Sequence, residues 1–278
     1  DTDRSRGLGD VYKRQIKNDA SYHDMYYMNP PAKDLSKIAS SDKVKKVQKD
    51  FEATHVRPQR LMKTLFTDEA YVKANVDEAR LMRRLFDLAC NMQSHDTDMQ
   101  LYSLFTDEEC YDLWSCNNLY WYLTHACSPV TDGLMPYREA DLLRNILDRA
   151  DAALKEGKNQ ATLRFGHESC LLPLVALLEL NHYGESYPDV EKLSEQWRAY
   201  DIFPMASNVQ FVFFHKKGSN DVLVKVLLNE KETKLPVKTD VAPYYHWKDV
   251  ESYYREKLDK YQHCLLYTSP SPRDRSVS

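Results

Sequence analysis

Leu163-Arg164-Phe165-Gly166-His167-Glu168-Ser169-Cys170 is the stretch whose reading decides the fold. Ala161 to Phe165 reads as a short strand, Gly166 as a turn, and the apolar run that follows as a helix to about Leu180. Strand, glycine turn and apolar helix make an α/β unit. In such layers, ligands collect at the carboxyl ends of strands. The N-terminus of a helix adds free backbone N–H groups and partial positive charge, both favourable to an anion such as phosphate. A histidine there can donate hydrogen bonds to phosphate oxygens. A carboxylic acid beside it can protonate a leaving alkoxide when its pKa is raised, and a bound phosphate dianion raises it by like-charge repulsion. The same His167-Glu168 pair also suits plain helix capping and polar solvation.

Outward from this stretch, residues 32 to about 156 read as helices. Leu81, Met82, Leu85, Phe86, Ala89 and Met92 recur at three- and four-residue spacing. Thr106-Asp107-Glu108-Glu109 is a capping box opening a helix with Leu113, Trp114, Leu119, Trp121 and Leu123. Ser128-Pro129 and Asp132-Gly133 break it. A further helix after Pro136 carries Leu142, Leu143, Ile146, Leu147, Ala150 and Leu154 on one face, and Gly157 ends it. Beyond the apolar helix, Asn208–His215 and Asp221–Leu228 are Val/Phe-rich and joined by Lys216-Lys217-Gly218-Ser219-Asn220, a hairpin signal. Trp247, Val250, Tyr254, Leu258 and Tyr261 form one stripe of a last helix. Leu-Phe-Thr-Asp-Glu occurs at 65–69 and again at 104–108, and two short matches are too few for a solenoid.

The two ends carry a different signal. Codons exist for Cys264 to Asp274 whose opposite strand, shifted by one base, reads Ser5 to Arg14. An inverted repeat straddling both ends of a reading frame marks a ligated adapter, and this one resembles a transposase adapter used for sequencing libraries. Residues 1–15 and 264–278 are therefore expected to be adapter-derived, and 16–263 to be an internal piece of a longer protein.

Net charge is −4. The densest basic stretch, Lys43 to Lys49, has Val44 and Val47 at helical spacing and reads as a solvated helix face, so nucleic-acid binding is discounted. No run reaches the ~18 apolar residues of a membrane span. Outside the tails there are five cysteines, Cys90, Cys110, Cys116, Cys127 and Cys170, with no Cys-x-x-Cys pair. They support neither a zinc site nor a disulfide framework, and buried thiols are the reading. His95-Asp96 and His23-Asp24 lack a third ligand at metal spacing. Tyr120, Trp121 and Tyr122 point in different directions from one helix, as core residues do.

Arg164-Phe165-Gly166-His167-Glu168-Ser169, with the apolar helix after it, resembles the second active-site motif of the histidine acid phosphatases. It is most similar to the multiple inositol polyphosphate phosphatase-like branch of Bacteroidetes. The likeness extends through Asp19–Asn29, Asn91–Asp96, Asn118-Leu119-Tyr120-Trp121-Tyr122 and Pro204-Met205-Ala206-Ser207-Asn208. It implies an α/β, histidine phosphatase-like fold, here partial and without its N-terminal strands, with a large helical cap. Residues 16–158 would be the cap domain and 159–263 the returning part of the α/β core.

The resemblance implies phosphomonoester hydrolysis through a phosphohistidine, on phosphate esters such as inositol polyphosphates, without cofactor or metal. His167 would bind the phosphoryl group and stabilise the transition state, and Glu168 would be the proton donor. Arg164, alternating with Leu163 and Phe165, would reach the phosphate or form a salt bridge. Related enzymes carry His-Asp or His-Ala-Glu, so Glu168 stands one residue away from the His-Ala-Glu pattern, about 1.5–3.4 Å along the chain. The family's nucleophilic Arg-His-Gly-x-Arg motif is absent from this sequence. The chain alone is therefore expected to be inactive, and poorly soluble through unpaired strand edges. A periplasmic or secreted bacterial location follows from the resemblance. The rival readings are a non-catalytic phosphate-binding relative and a helical interaction module in which His167-Glu168 only caps.

Overall fold

In a computed structural model, residues 33–158 and 160–268 are described, and of residues 33, 34 and 262–268 the backbone alone. Both adapter-type tails, except the helical backbone to 268, and the Asp19–Asn29 string with His23-Asp24 lie outside them.

Eleven α-helices and a small antiparallel sheet make up the described part. The first five helices are α1 (Lys33–Ala39), α2 (Asp42–His55), α3 (Gln59–Leu65), α4 (Glu69–Asn75) and α5 (Glu78–Asn91). Their starts are set locally: the side chains of Ser41, Asp68 and Asp77 accept from the N–H of Val44, Tyr71 and Arg80. In α2 the lysines point to solvent while Val44 and Phe51 are buried, as the spacing of the basic stretch predicts.

Helix α6 (Asp107–His125) is the central element. Both halves of the expected Thr106/Glu109 capping box are present. Leu113 near its start belongs to an outer hydrophobic cluster with Leu61, Met62, Val72, Met82 and Phe105. Leu119, Tyr122 and Leu123 belong to the main core. Asn118, buried on α6, donates to Trp197 O (3.0 Å) and accepts from Ala199 N–H (2.8 Å). The three neighbouring aromatics do point apart: Tyr122 is fully buried, Trp121 half-buried and Tyr120 exposed.

Helix α7 (Ala140–Glu156) ends at Gly157, whose φ of 65° is the left-handed cap expected of it. After the apolar helix α8 (Glu168–Leu177) come the short helices α9 (Leu193–Gln196) and α10 (Ala199–Ile202). Strands β1 (Val209–His215) and β2 (Val222–Leu228) pair in the expected hairpin, from Val209 opposite Leu228 to His215 opposite Val222. Strands β3 (Lys231–Glu232) and β4 (Tyr245–His246) also pair with β2. Val224, Val226 and Leu228, at the strand's period of two, enter the core. Helix α11 (Trp247–Thr268) buries Trp247, Val250, Tyr254 and Leu258 of the stripe read from the sequence and half-buries its last member, Tyr261. Its backbone stays helical past the boundary expected at 263.

The main core mixes residues on both sides of position 159, from Val44 to Leu147 and from Leu172 to Leu258. One expectation fails: Ala161–Phe165 is not a strand. A strand exists only with a hydrogen-bonded neighbour, and no strand among the described residues pairs with this one. Leu163 and Phe165 are 74 % and 58 % exposed, the reverse of a buried apolar face.

Candidate functional site

His167 is the N-cap residue of α8, extended at φ −112°, ψ 162°, and its side chain makes no capping bond. Its carbonyl accepts the N–H groups of Cys170 and Leu171, each at 3.0 Å. The earlier first-turn N–H groups have no intrahelical acceptor. His167 and Glu168 are both exposed. Thus the structure puts these two sequence-predicted residues together at a helix N-terminus facing solvent.

Arg164 is turned away from the apolar side chains that flank it. Its Nη2 donates to Asn145 Oδ1 on α7 at 2.9 Å. Its Nε is buried without a hydrogen-bond partner among the described residues. Of the two readings given above for Arg164, the salt bridge is not seen: no carboxylate pairs with it among the described residues. Burial and the nearby Arg149 charge both hold its guanidinium below the ordinary arginine range.

Beneath the first turn of α8 lies a polar cluster that the sequence reading missed. The single-turn segment Met135–Glu139 packs along α8. Glu139 is 2 % exposed. It accepts a hydrogen bond from the Cys170 thiol, while Oε1 has no partner among the described residues. Burial pushes the Glu139 carboxyl up to about 7, against the opposing pull of Arg138 and Cys170. Arg138 donates to Thr124 O and Ser36 Oγ, both at 3.2 Å, and burial lowers its pKa. His125, at 2.7 Å from Thr124 Oγ1, is held down to about 4 by burial and then by Arg138. Burial and Glu139 raise the Cys170 thiol to about 11, so it stays protonated and can serve as a donor. Arg138 and Glu139 are charged residues just ahead of α7, and only packing against α8 shows them to be buried.

Among the described residues no group of three or more His, Cys, Asp or Glu is placed to hold a metal ion, and no helix is long and apolar enough to cross a membrane. The site can therefore be described as an exposed His-Glu pair on a helix start, anchored from below by a buried Glu-Cys-Arg cluster.

Residues 10–229 match the model of the histidine phosphatase superfamily, branch 2. That range begins inside the tail expected to be adapter-derived. Human multiple inositol polyphosphate phosphatase 1 is 28 % identical over 149 residues, covering 48 % of this chain and 30 % of that protein. Two crystal structures of the Bifidobacterium longum multiple inositol polyphosphate phosphatase share its fold. The complex with phosphate has a TM-score of 0.55 at 19 % identity, covering 89 % of this chain and 58 % of that one. The complex with inositol hexasulfate has a TM-score of 0.51 at 19 % identity, covering 87 % and 56 %. The chain thus spans about a third of the length of the human relative and rather more than half that of the solved ones.

Proposed function

Because the chain belongs to branch 2 of the histidine phosphatase superfamily, we propose that the whole protein hydrolyses phosphomonoesters and that inositol polyphosphates are its substrate class. The observation that carries this reading is the exposed His167-Glu168 pair at the start of α8. The names of the human and bifidobacterial relatives support the substrate class.

In this reading a histidine outside the present sequence attacks phosphorus. A P–N bond forms and the ester P–O bond breaks. His167 donates to a phosphoryl oxygen as charge builds there, helped by the first-turn N–H groups. Glu168 gives its proton to the leaving alkoxide. It then takes one from the water that displaces the phosphoryl group from histidine, releasing inorganic phosphate. The helical part before residue 159 would serve as a cap over this chemistry. We also propose a periplasmic or secreted location, on the resemblance alone.

The test is phosphate release by the longer protein carrying an Arg-His-Gly-x-Arg segment. His167→Ala should lower turnover by about 100-fold or more. Glu168→Gln should cripple hydrolysis of inositol hexakisphosphate and spare p-nitrophenyl phosphate, whose leaving group departs without a proton. Equal loss on both esters would move the donor role to another residue. The present chain, which has no Arg-His-Gly, should turn over neither ester. A phosphate-binding relative without turnover is the second reading, and a longer protein without the Arg-His-Gly-x-Arg segment would favour it.

A further inference from the structure

Resting on that reading for the nature of the ligand, we propose that Arg149 and Arg164, with Asn145 between them, form an anion subsite for a second phosphate group of a multiply phosphorylated ester. Asn145 and Arg149 are four residues apart on α7 and so share one face of the helix. Arg164 is fixed to that face by its 2.9 Å bond to Asn145. Its guanidinium therefore sits one helical turn from Arg149. Two positive groups are brought together, and the charge of Arg149 acts on Arg164.

The two carboxylates of α7 nearest Arg149 in sequence are engaged elsewhere. Asp148 and Asp151 are bonded to Arg255 of α11 at 2.9 and 2.8 Å. Among the described residues no ion pair forms at Arg149 or Arg164. Arg164 is half-buried, with its Nε closed to solvent and its Nη2 held by Asn145, whereas Arg149 is exposed and accessible from solvent. A tetrahedral dianion suits such an arrangement: it offers several acceptor oxygens to guanidinium N–H groups and offsets the like-charge repulsion. Arg164 is also only three residues before His167. A substrate carrying several phosphates on one ring can therefore present one group to His167 and another to this pair.

The experiment is isothermal titration calorimetry on the 278-residue chain at fixed ionic strength, with inositol hexakisphosphate and separately with inorganic phosphate. Arg149→Gln removes an exposed side chain with no ion pair, so folding is not at risk, and Arg149→Lys restores the charge. Arg149→Gln should weaken inositol hexakisphosphate binding by about 3- to 5-fold, the range one exposed charge contact carries. Arg149→Lys should recover part of it, and inorganic phosphate should be affected less. Unchanged hexakisphosphate binding in Arg149→Gln, equal loss for both ligands, or no binding by the wild-type chain would each overturn the subsite. His167→Ala separates the two ideas. Weakening there with Arg149→Gln unaffected keeps the functional reading and ends this one; the opposite pattern keeps the subsite and ends the reading of His167.

Discussion

Glu139→Gln should make the protein more stable above neutral pH. The carboxyl lies in the cluster beneath α8, and burial moves its pKa from 4.5 to about 7. Arg138, its neighbour in sequence, is lowered by burial even though Glu139 raises it. For both partners desolvation outweighs attraction, as is common for buried pairs. The folded state therefore binds the Glu139 proton more tightly than the unfolded state does. Between pH 4.5 and 7 the native protein holds more protons, so stability falls as pH rises through this window, and the full penalty is present above it. A displacement from 4.5 to about 7 corresponds to about 3 kcal/mol. Glutamine has the shape of the neutral acid and no charge to desolvate. Urea unfolding at pH 4, 6 and 8 checks this. The variant should match wild type within about 1 kcal/mol at pH 4 and exceed it by up to about 3 kcal/mol at pH 8. A Glu139→Gln variant that loses stability at pH 8 would show that the ionised pair is net favourable and refute the reasoning.

Asn118→Ala removes both buried bonds to the 197–199 segment and should cost about 2–4 kcal/mol in the same assay; a loss below 1 kcal/mol would mean the segment finds other partners. His246 lies between Asp221 (Nδ1 to Oδ1, 3.0 Å) and Asp240 (Nε2 to Oδ1, 3.0 Å). Both ring nitrogens can donate only in the imidazolium form, and the hydrogen bonds to Asp221 and then Asp240 raise its pKa. Its contribution is complete below the unfolded histidine value of about 6.5 and is lost as pH rises through the higher folded value. An NMR titration of His246 with a midpoint at or below 6.5 would contradict this bridge. Thr106→Ala opens the capping box of α6 and should lower stability by about 1 kcal/mol, read from the urea midpoint at unchanged slope.

What the sequence made legible were features whose cause is local. The Thr106/Glu109 box, the Gly157 cap and the β1–β2 hairpin each depend on residues a few positions apart, and each is found as expected. The repeated Leu-Phe-Thr-Asp-Glu string marks the limit of that logic. Its second copy caps α6 through Thr106, because Glu109 closes the box. In its first copy, position 70 is alanine and Asp68 becomes the cap of α4. Readings that needed distant partners fared differently. Leu163 to Phe165 has the composition of a strand, yet strandhood depends on a neighbour that local pattern cannot reveal. Glu139 is separated from Cys170 by a whole helix, and Asn145 from Arg164 by more than a helical span. The clusters that give the area around His167 its electrostatics come from packing α7 and the 135–139 segment on α8. Helix α6 hides Asn118 in the same way: it is buried on most sides, so a polar residue inside it has no amphipathic stripe to betray it.

The exposed, irregular run Gln160–Gly166 is where a protease would find backbone that it can extend into its cleft. A cut there need not separate the pieces. Val44, Phe51, Leu119 and Leu143 on one side share a single interior with Leu172, Val226, Val250 and Tyr254 on the other. The nicked chain would remain a non-covalent heterodimer of its own halves, held by the same apolar contacts that formed its core. It would run as one species on a sizing column and as two bands once denatured.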